Sequence, residues 1–302
     1  MSISVRQARY FIAAADFGQV SLAAKELNIS QSAVTTAIKQ LEETLGVKLF
    51  SRVAKGVYLT AEGARFLSHA RNIIAAVNEA TQSPLRVESG AEGRLKVGLT
   101  YTVAGYFMPR HHARFLRSYP QIEIELVELP RNAIEHRLVE GDLDMAVILV
   151  SNLRNKKDIA YETLFRSRRR LWLPPGHGLL SAPSVSLADV AREPYIMLTV
   201  DEAAQTAGSY WTRHGLKPNI SFRTASIEAI RSMVAAGMGV TILSDMVYRP
   251  WSLEGQRLET RGLEVDVPTM DVGIAWSKAR AESPAAKTLR DFLSTSVSDG
   301  VH

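Results

Sequence analysis

Apolar residues in the first third of the chain recur with a helical period that is broken twice. Leu22, Ala23, Ala24 and Leu27 mark the inner face of a short helix, with Ser21 placed to cap it. Asn28-Ile29-Ser30 reads as a turn, and Ser30 is placed to cap the next element. Val34, Ala37, Ile38, Leu41 and Leu45 then recur at intervals of three and four, one buried stripe along a second helix that Gly46 stops. A basic hairpin with Arg52 and Lys55 follows. Thr60 caps a long helix opening with Ala61-Glu62, its acid well placed against the positive helix end. Along it Phe66, Ala70, Ile73, Val77 and Ala80 alternate spacings of four and three, which is a coiled-coil seam. Such a helix either packs on its own domain or finds a second copy, and the scarcity of adjacent chain to cover it favours the second copy. Pro84 ends it, and residues 88–93 (Glu-Ser-Gly-Ala-Glu-Gly) read as a hinge.

From Arg94 the period alternates between two and 3.6. Leu95–Leu99 reads as a strand, Met108–Ser118 as a helix and Ile122–Val127 as a strand. A helix over Ala133–Glu140 leads into an apolar strand at Leu143–Val150, so the segment is βαβαβ with a parallel sheet. Arg168–Leu173 reads as a strand crossing out of this unit. A second unit follows: strand Pro194–Thr199, helix Ala203–His214, strand Ile220–Thr224, helix Ile227–Ala236 and strand Val240–Leu243. Strand Val272–Trp276 and helix Ala285–Leu293 look like a return to the first unit, making two α/β lobes of a clamshell.

Composition narrows the class. A chain of 302 residues, 46% hydrophobic and 22% charged, is an ordinary globular protein long enough for two or three cores. The net charge of +5 is too mild to single out a nucleic-acid binder, and residues 1–90 hold ten basic against seven acidic residues, a weak bias toward a basic N-terminal third. Without cysteine there is no disulfide framework and no thiolate chemistry. No apolar run reaches membrane-spanning length, and Arg6 and Arg9 interrupt the place where a signal peptide needs its apolar core, so a cytoplasmic location is expected.

The second helix is apolar on one face only. Its other face carries Gln31, Ser32, Thr35, Thr36 and Lys39, short hydrogen-bonding groups near the helix start with a cation one turn on, as a groove-reading helix requires. Ser30 joins this set, and Arg52 and Lys55 suit phosphate contact. The stretch resembles the LysR-type transcriptional regulators. The matching residues are Arg6-Gln7, Tyr10-Phe11, Ala23-Ala24, Leu27, Ser30-Gln31, Ala33-Val34, Ile38, Leu41-Glu42, Leu45-Gly46, Leu49-Phe50, Arg52 and Leu59-Thr60-Ala61-Glu62-Gly63. Ser32 stands where the family usually has Pro, and Thr35-Thr36 where it usually has Ser and a basic residue, which alters the groove-facing side chains. The resemblance implies a winged helix-turn-helix DNA-binding domain over residues 1–60, a linker and dimerisation helix over 61–89, and an effector-binding domain over 90–302. That last domain is expected to be two-lobed and periplasmic-binding-protein-like, with lobe 1 over about 93–165 and 268–302 and lobe 2 over about 166–267. It also implies a homotetramer, a dimer of dimers, on an imperfect inverted repeat of double-stranded DNA.

Open α/β lobes bind ligands at the carboxyl ends of their strands. Thr100, Tyr101 and Thr102 follow the first strand and suit a carboxylate or other small anion; Thr199 holds the corresponding place in the second lobe. Arg131 is either a counter-charge to that anion or an exposed surface residue. His111-His112 are adjacent on a helix and point apart, so they read as surface and not as a metal pair. Gly237-Met238-Gly239 lies before a strand, the wrong context for a dinucleotide fingerprint. In Arg168-Arg169-Arg170, alternation places the middle side chain opposite the other two. The residues imply no cofactor and no metal, and there is no Gly-x-Ser-x-Gly, P-loop or His-Glu-x-x-His on which an enzyme could rest. A ligand-binding protein without a DNA role is the other class, and the first ninety residues count against it. The effector is expected to be a small anionic metabolite.

Overall fold

The computed structural model describes residues 3–53, 56–82 and 92–298. Two units divide at Val87 and Glu88.

In the first unit α1 (Val5–Phe17) starts from a reciprocal cap, Ser4 accepting from the Gln7 amide while the Gln7 side chain accepts from Ser4. Gly18 ends it in the left-handed region. Helix α2 (Val20–Glu26) begins one residue before Ser21, with Gln19 as its cap residue, so Ser21 is not the cap. Leu22, expected on the inner face, is 45% exposed, because one position on the helix turns it away from buried Ala23 and Ala24. Asn28, at φ 53°, makes the turn, and Ser30 caps α3 (Gln31–Leu45) as expected, its hydroxyl accepting from the Ala33 amide. Val34, Ala37, Ile38 and Leu41 are buried. Strands β1 (Phe50–Val53) and β2 (Gly56–Leu59) form the hairpin. Gly56 is required there: a Cβ would lie 2.3 Å from the Gly18 carbonyl oxygen.

Helix α4 (Ala61–Gln82) starts with the Thr60 hydroxyl accepting from the Gly63 amide. A Cβ on Gly63 would meet the Leu49 carbonyl oxygen at 2.0 Å, so this turn must lack a side chain to reach the strand. The expected seam divides in two. Phe66 and Ala70 are buried in the unit's own core, Phe66 packing edge-on to Phe11 with ring centroids 5.1 Å apart. The reason is geometric: α1 and the hairpin leave an apolar cleft that the first turns of α4 fill. Ile73 and Val77, farther along, are only half-buried. Pro84 and the hinge residues up to position 91 lie outside the described residues, as does Lys55.

In the second unit β3 (Gly93–Leu99), α5 (Tyr101–Tyr106), α6 (Met108–Ser118), β4 (Ile122–Glu128), α7 (Arg131–Glu140), β5 (Met145–Leu149) and β6 (Ile159–Ser167) come first. The other lobe holds β7 (Arg169–Leu173), α8 (Leu187–Arg192), β8 (Pro194–Leu198), α9 (Ala203–Arg213), β9 (Asn219–Thr224), α10 (Ile227–Ala235), β10 (Thr241–Ser244) and β11 (Glu259–Arg261). Strand β12 (Met270–Ser277) and α11 (Pro284–Ser298) return to the first lobe. Its five-stranded sheet has the order β4-β3-β5-β12-β6, with β3 parallel to both neighbours and β12 antiparallel to both of its own. The second lobe is less parallel than its pattern predicts. Strands β8 and β9 pair in parallel, but β10 and β11 flank β7 antiparallel, with Val240 bridging to Tyr195. The chain crosses between lobes at Ser167–Arg169, where the Ser244 hydroxyl lies 2.7 Å from that of Ser167.

Candidate functional site

The outer face of α3 is free of the core. Gln31, Ser32, Thr36 and Lys39 are exposed, and Thr35 is half-buried. The Thr35 hydroxyl donates to the Gln31 carbonyl at 2.9 Å, so its proton is already engaged and Thr36 is the freer of the two threonines. Ser30 and Ser32 share a hydrogen bond at 3.0 Å. Lys39 has Glu43 at 3.8 Å, an exposed pair that a phosphate can replace at little cost. Arg52 sits on β1 opposite Val57 in the hairpin.

What aims α3 is Glu42, a residue that periodicity does not single out. Its carboxylate accepts from the Leu49 amide at 2.9 Å and the Phe50 amide at 3.2 Å, and pairs with Lys48 at 2.7 Å. Burial pushes its pKa up, but the Lys48 ammonium and the two amides outweigh burial and hold it below the ordinary carboxylate value. One side chain thus ties α3 to the start of the hairpin.

The second cluster lies where the two lobes of the other unit meet. Thr100 is the residue before α5 and Thr102 is inside it; both are at most 3% exposed. The Thr100 hydroxyl is buried and has no hydrogen-bond partner among the described residues. Tyr101 is exposed at 37%, on the outside of the turn. Arg131, for which an exposed position was one expectation, is buried. Its Nη1 donates to Glu135 at 2.6 Å and its Nε to Glu202 at 3.0 Å. Burial alone lowers its pKa, but the two carboxylates outweigh that and raise it. Glu135 in turn accepts the Arg154 and Asn155 amides at 3.0 and 3.1 Å, which fixes the guanidinium in place.

Thr199 stands at the end of β8 with an exposed side chain; the chemistry passes instead to the two acids that follow it. Asp201 reaches the first lobe, its carboxylate accepting from the Thr102 amide at 2.7 Å. Asn152 Nδ2 donates to the Asp201 carbonyl at 2.8 Å and to the Glu202 carboxylate at 3.3 Å. Both acids have left-handed backbone, at φ 49° and 59°. For residues other than glycine that costs on the order of 1–3 kcal/mol each. A second tie joins Tyr106 to Glu228 at 2.8 Å, and burial with that carboxylate pushes the phenol up to about 12. Asp201, Glu202 and Asn152 escape sequence reasoning, because their partners lie far away in the chain.

The remaining candidates are structural. His111 is buried against the Phe107 ring at 4.3 Å and accepts from Arg110, so it is not a surface residue; α6 turns it inward beside Phe115. Arg170 pairs with Asp245 at 2.5 Å, while Arg169 faces Tyr195 and Tyr210 on the other side of β7, the alternation the sequence predicts. Among the described residues no His, Asp or Glu cluster suits a metal, and no helix is long and apolar enough to cross a membrane.

A capped helix-turn-helix with a basic hairpin, and a two-lobed α/β unit with donors converging between its lobes, define a DNA-binding protein with an attached effector-binding domain. Residues 5–64 match the bacterial regulatory helix-turn-helix family of the lysR type, and residues 88–298 match the LysR substrate-binding domain. The chain therefore belongs to the LysR family of transcriptional regulators. It is 30% identical to the uncharacterized HTH-type transcriptional regulator YnfL of Escherichia coli K12, over 97% of this chain and 98% of that one. It is 31% identical to the uncharacterized HTH-type transcriptional regulator YwqM of Bacillus subtilis 168, over 96% of this chain and 98% of that one. The crystal structure of HinK, a LysR family transcriptional regulator from Pseudomonas aeruginosa, superposes with a TM-score of 0.63 at 30% identity, covering 98% of this chain and 99% of that one. The relatives are transcriptional regulators and not enzymes. The protein is thus a DNA-binding regulator that responds to a small-molecule effector.

Proposed function

We propose that α3 enters the major groove of double-stranded DNA and reads it through Gln31, Ser32, Thr35, Thr36 and Lys39, with Ser30, Arg52 and Lys55 on the phosphates. The supporting observation is a helix that is core on one face and carries an exposed hydrogen-bonding set on the other, with Glu42 fixing its position. The protein works as a homotetramer on an imperfect inverted repeat in the cytoplasm, and Ile73 and Val77 supply the part of the α4 seam left for a second copy. A small anion between the lobes of the second unit is the effector. Lobe-1 donors support this reading: the amide of Thr102 and the guanidinium of Arg131 face the other lobe, and the neighbouring Thr100 hydroxyl is buried without a partner among the described residues, with Tyr101 and Thr199 at the margin.

A gel-shift titration against the intergenic DNA upstream of the protein's own gene tests the first part. Retardation is expected there and not on scrambled DNA. Arg52→Ala should weaken every site alike and reduce the salt slope by about one phosphate contact. Equal retardation of scrambled DNA would overturn sequence-specific reading.

A further inference from the structure

We propose that Asp201 and Glu202 are a tethered stand-in for the effector, and that the molecule they imitate is a small diacid. The inference rests on the reading that the effector binds between the lobes.

The two residues carry charge into a place where nothing in their own lobe requires it. Asp201 accepts the Thr102 amide from across the cleft at 2.7 Å, and Glu202 accepts from Arg131 at 3.0 Å and Asn152 at 3.3 Å. All three donors belong to the first lobe and both acceptors to the second. An acid pair so placed acts as a clasp. The backbone supports this: two successive non-glycine residues lie in the left-handed region, at φ 49° and 59°. That conformation persists only if surrounding contacts hold it, and these cross-lobe bonds are the contacts that do so.

The geometry also specifies the ligand. Asp201 and Glu202 are adjacent on one short turn, so they leave their donors together when the lobes part. Two carboxylates serve these two donor sets in the clasp, so a replacement that matches both sets carries two as well. A diacid meets the Thr102 amide with one carboxylate and the Arg131–Asn152 pair with the other. The Thr100 hydroxyl, buried and without a partner among the described residues, gains one as well. A tethered group competes at an effective concentration in the millimolar range, so the clasp sets a threshold below which the effector does not open the lobes. Ligand and clasp exclude each other, and the effector response is an opening.

The chain has no cysteine, so single labels are introduced without background. Lys157→Cys and Lys217→Cys, both at exposed positions, put one nitroxide on each lobe of the full-length protein, and pulsed electron resonance reads their separation. Asp201→Gly with Glu202→Gly keeps the left-handed backbone and removes both carboxylates; Asp201→Asn with Glu202→Gln is the milder pair. The glycine pair is expected to lengthen and broaden the distance distribution without ligand. Succinate is expected to do the same to the wild type, where acetate does not. Succinate should also bind the glycine pair roughly 5- to 150-fold more tightly, the span of typical couplings. Unchanged distances in both acid-replaced proteins overturn the clasp. Acetate and succinate acting alike on the wild type, or succinate binding wild type and glycine pair equally, overturns the diacid mimicry while leaving a cleft effector in place. If an effector found by other means binds outside the cleft, the underlying reading fails instead, and the label distances still decide the clasp.

Discussion

Thr36 and Thr35 are neighbours with the same side chain and different freedom. Thr35 spends its hydroxyl proton on the Gln31 carbonyl, whereas Thr36 is exposed. Thr36→Ala is therefore expected to change base preference at one position, by about 1–3 kcal/mol, with affinity for unrelated DNA preserved. Binding to a library of single-base operator variants measures it. Glu42 is a different kind of residue, a buried acid that holds α3 to the start of the hairpin. Its pKa is lowered on folding, so its contribution is complete above the ordinary carboxylate value of 4.5 and is lost as pH falls through the lower folded value. Glu42→Gln should cost about 1.5–3 kcal/mol at neutral pH and flatten the acid limb of the stability curve of the N-terminal unit. Circular dichroism melts across the acid range check both.

Among elements, α4 carries one period through a covered stretch and into a half-covered one. Its first turns are consumed by the domain core, where Phe66 meets Phe11 and Ala70 is fully buried. The same spacing continues to Ile73 and Val77, which the core covers only in part. Ile73→Glu should therefore leave the N-terminal unit folded and dissociate the dimer, with light scattering reading the mass. Phe66→Glu should unfold the unit, because it places a charge in a closed core. A monomeric wild type at micromolar concentration would remove this role for α4.

At the scale of the whole molecule, two units with separate cores allow the two activities to be tested separately. A ligand at 100 times its Kd adds about 2.7 kcal/mol to the unit that binds it. A thermal-shift screen of small carboxylates is expected to raise the transition of the effector unit and leave that of the helix-turn-helix unit in place. Thr100→Val keeps the shape and removes the buried, unpartnered hydroxyl, and it should reduce the ligand-induced shift while DNA binding without effector survives. A wild-type shift retained in full by Thr100→Val would take that hydroxyl out of the site.

The amino-acid order by itself determined the elements whose apolar stripe is long and uninterrupted. It placed α3 between Ser30 and Gly46, the hairpin, the start of α4 and the βαβαβ run of the first lobe, because burial on one face leaves a period and caps leave a signature. It also carried the family, through residues spread over the first sixty-three positions. Tertiary structure decided what periodicity cannot express. Half-exposed β6, the short α8 and the antiparallel pairing of β10 with β7 follow from neighbours distant in sequence. Which turns of α4 face inward was settled by the cleft left between α1 and the hairpin. The burial of Arg131 and its capture by Glu135 and Glu202 needed residues up to 71 positions apart to be brought together. Charge pairing across a cleft leaves no local pattern, since each partner answers only to the space its own lobe presents.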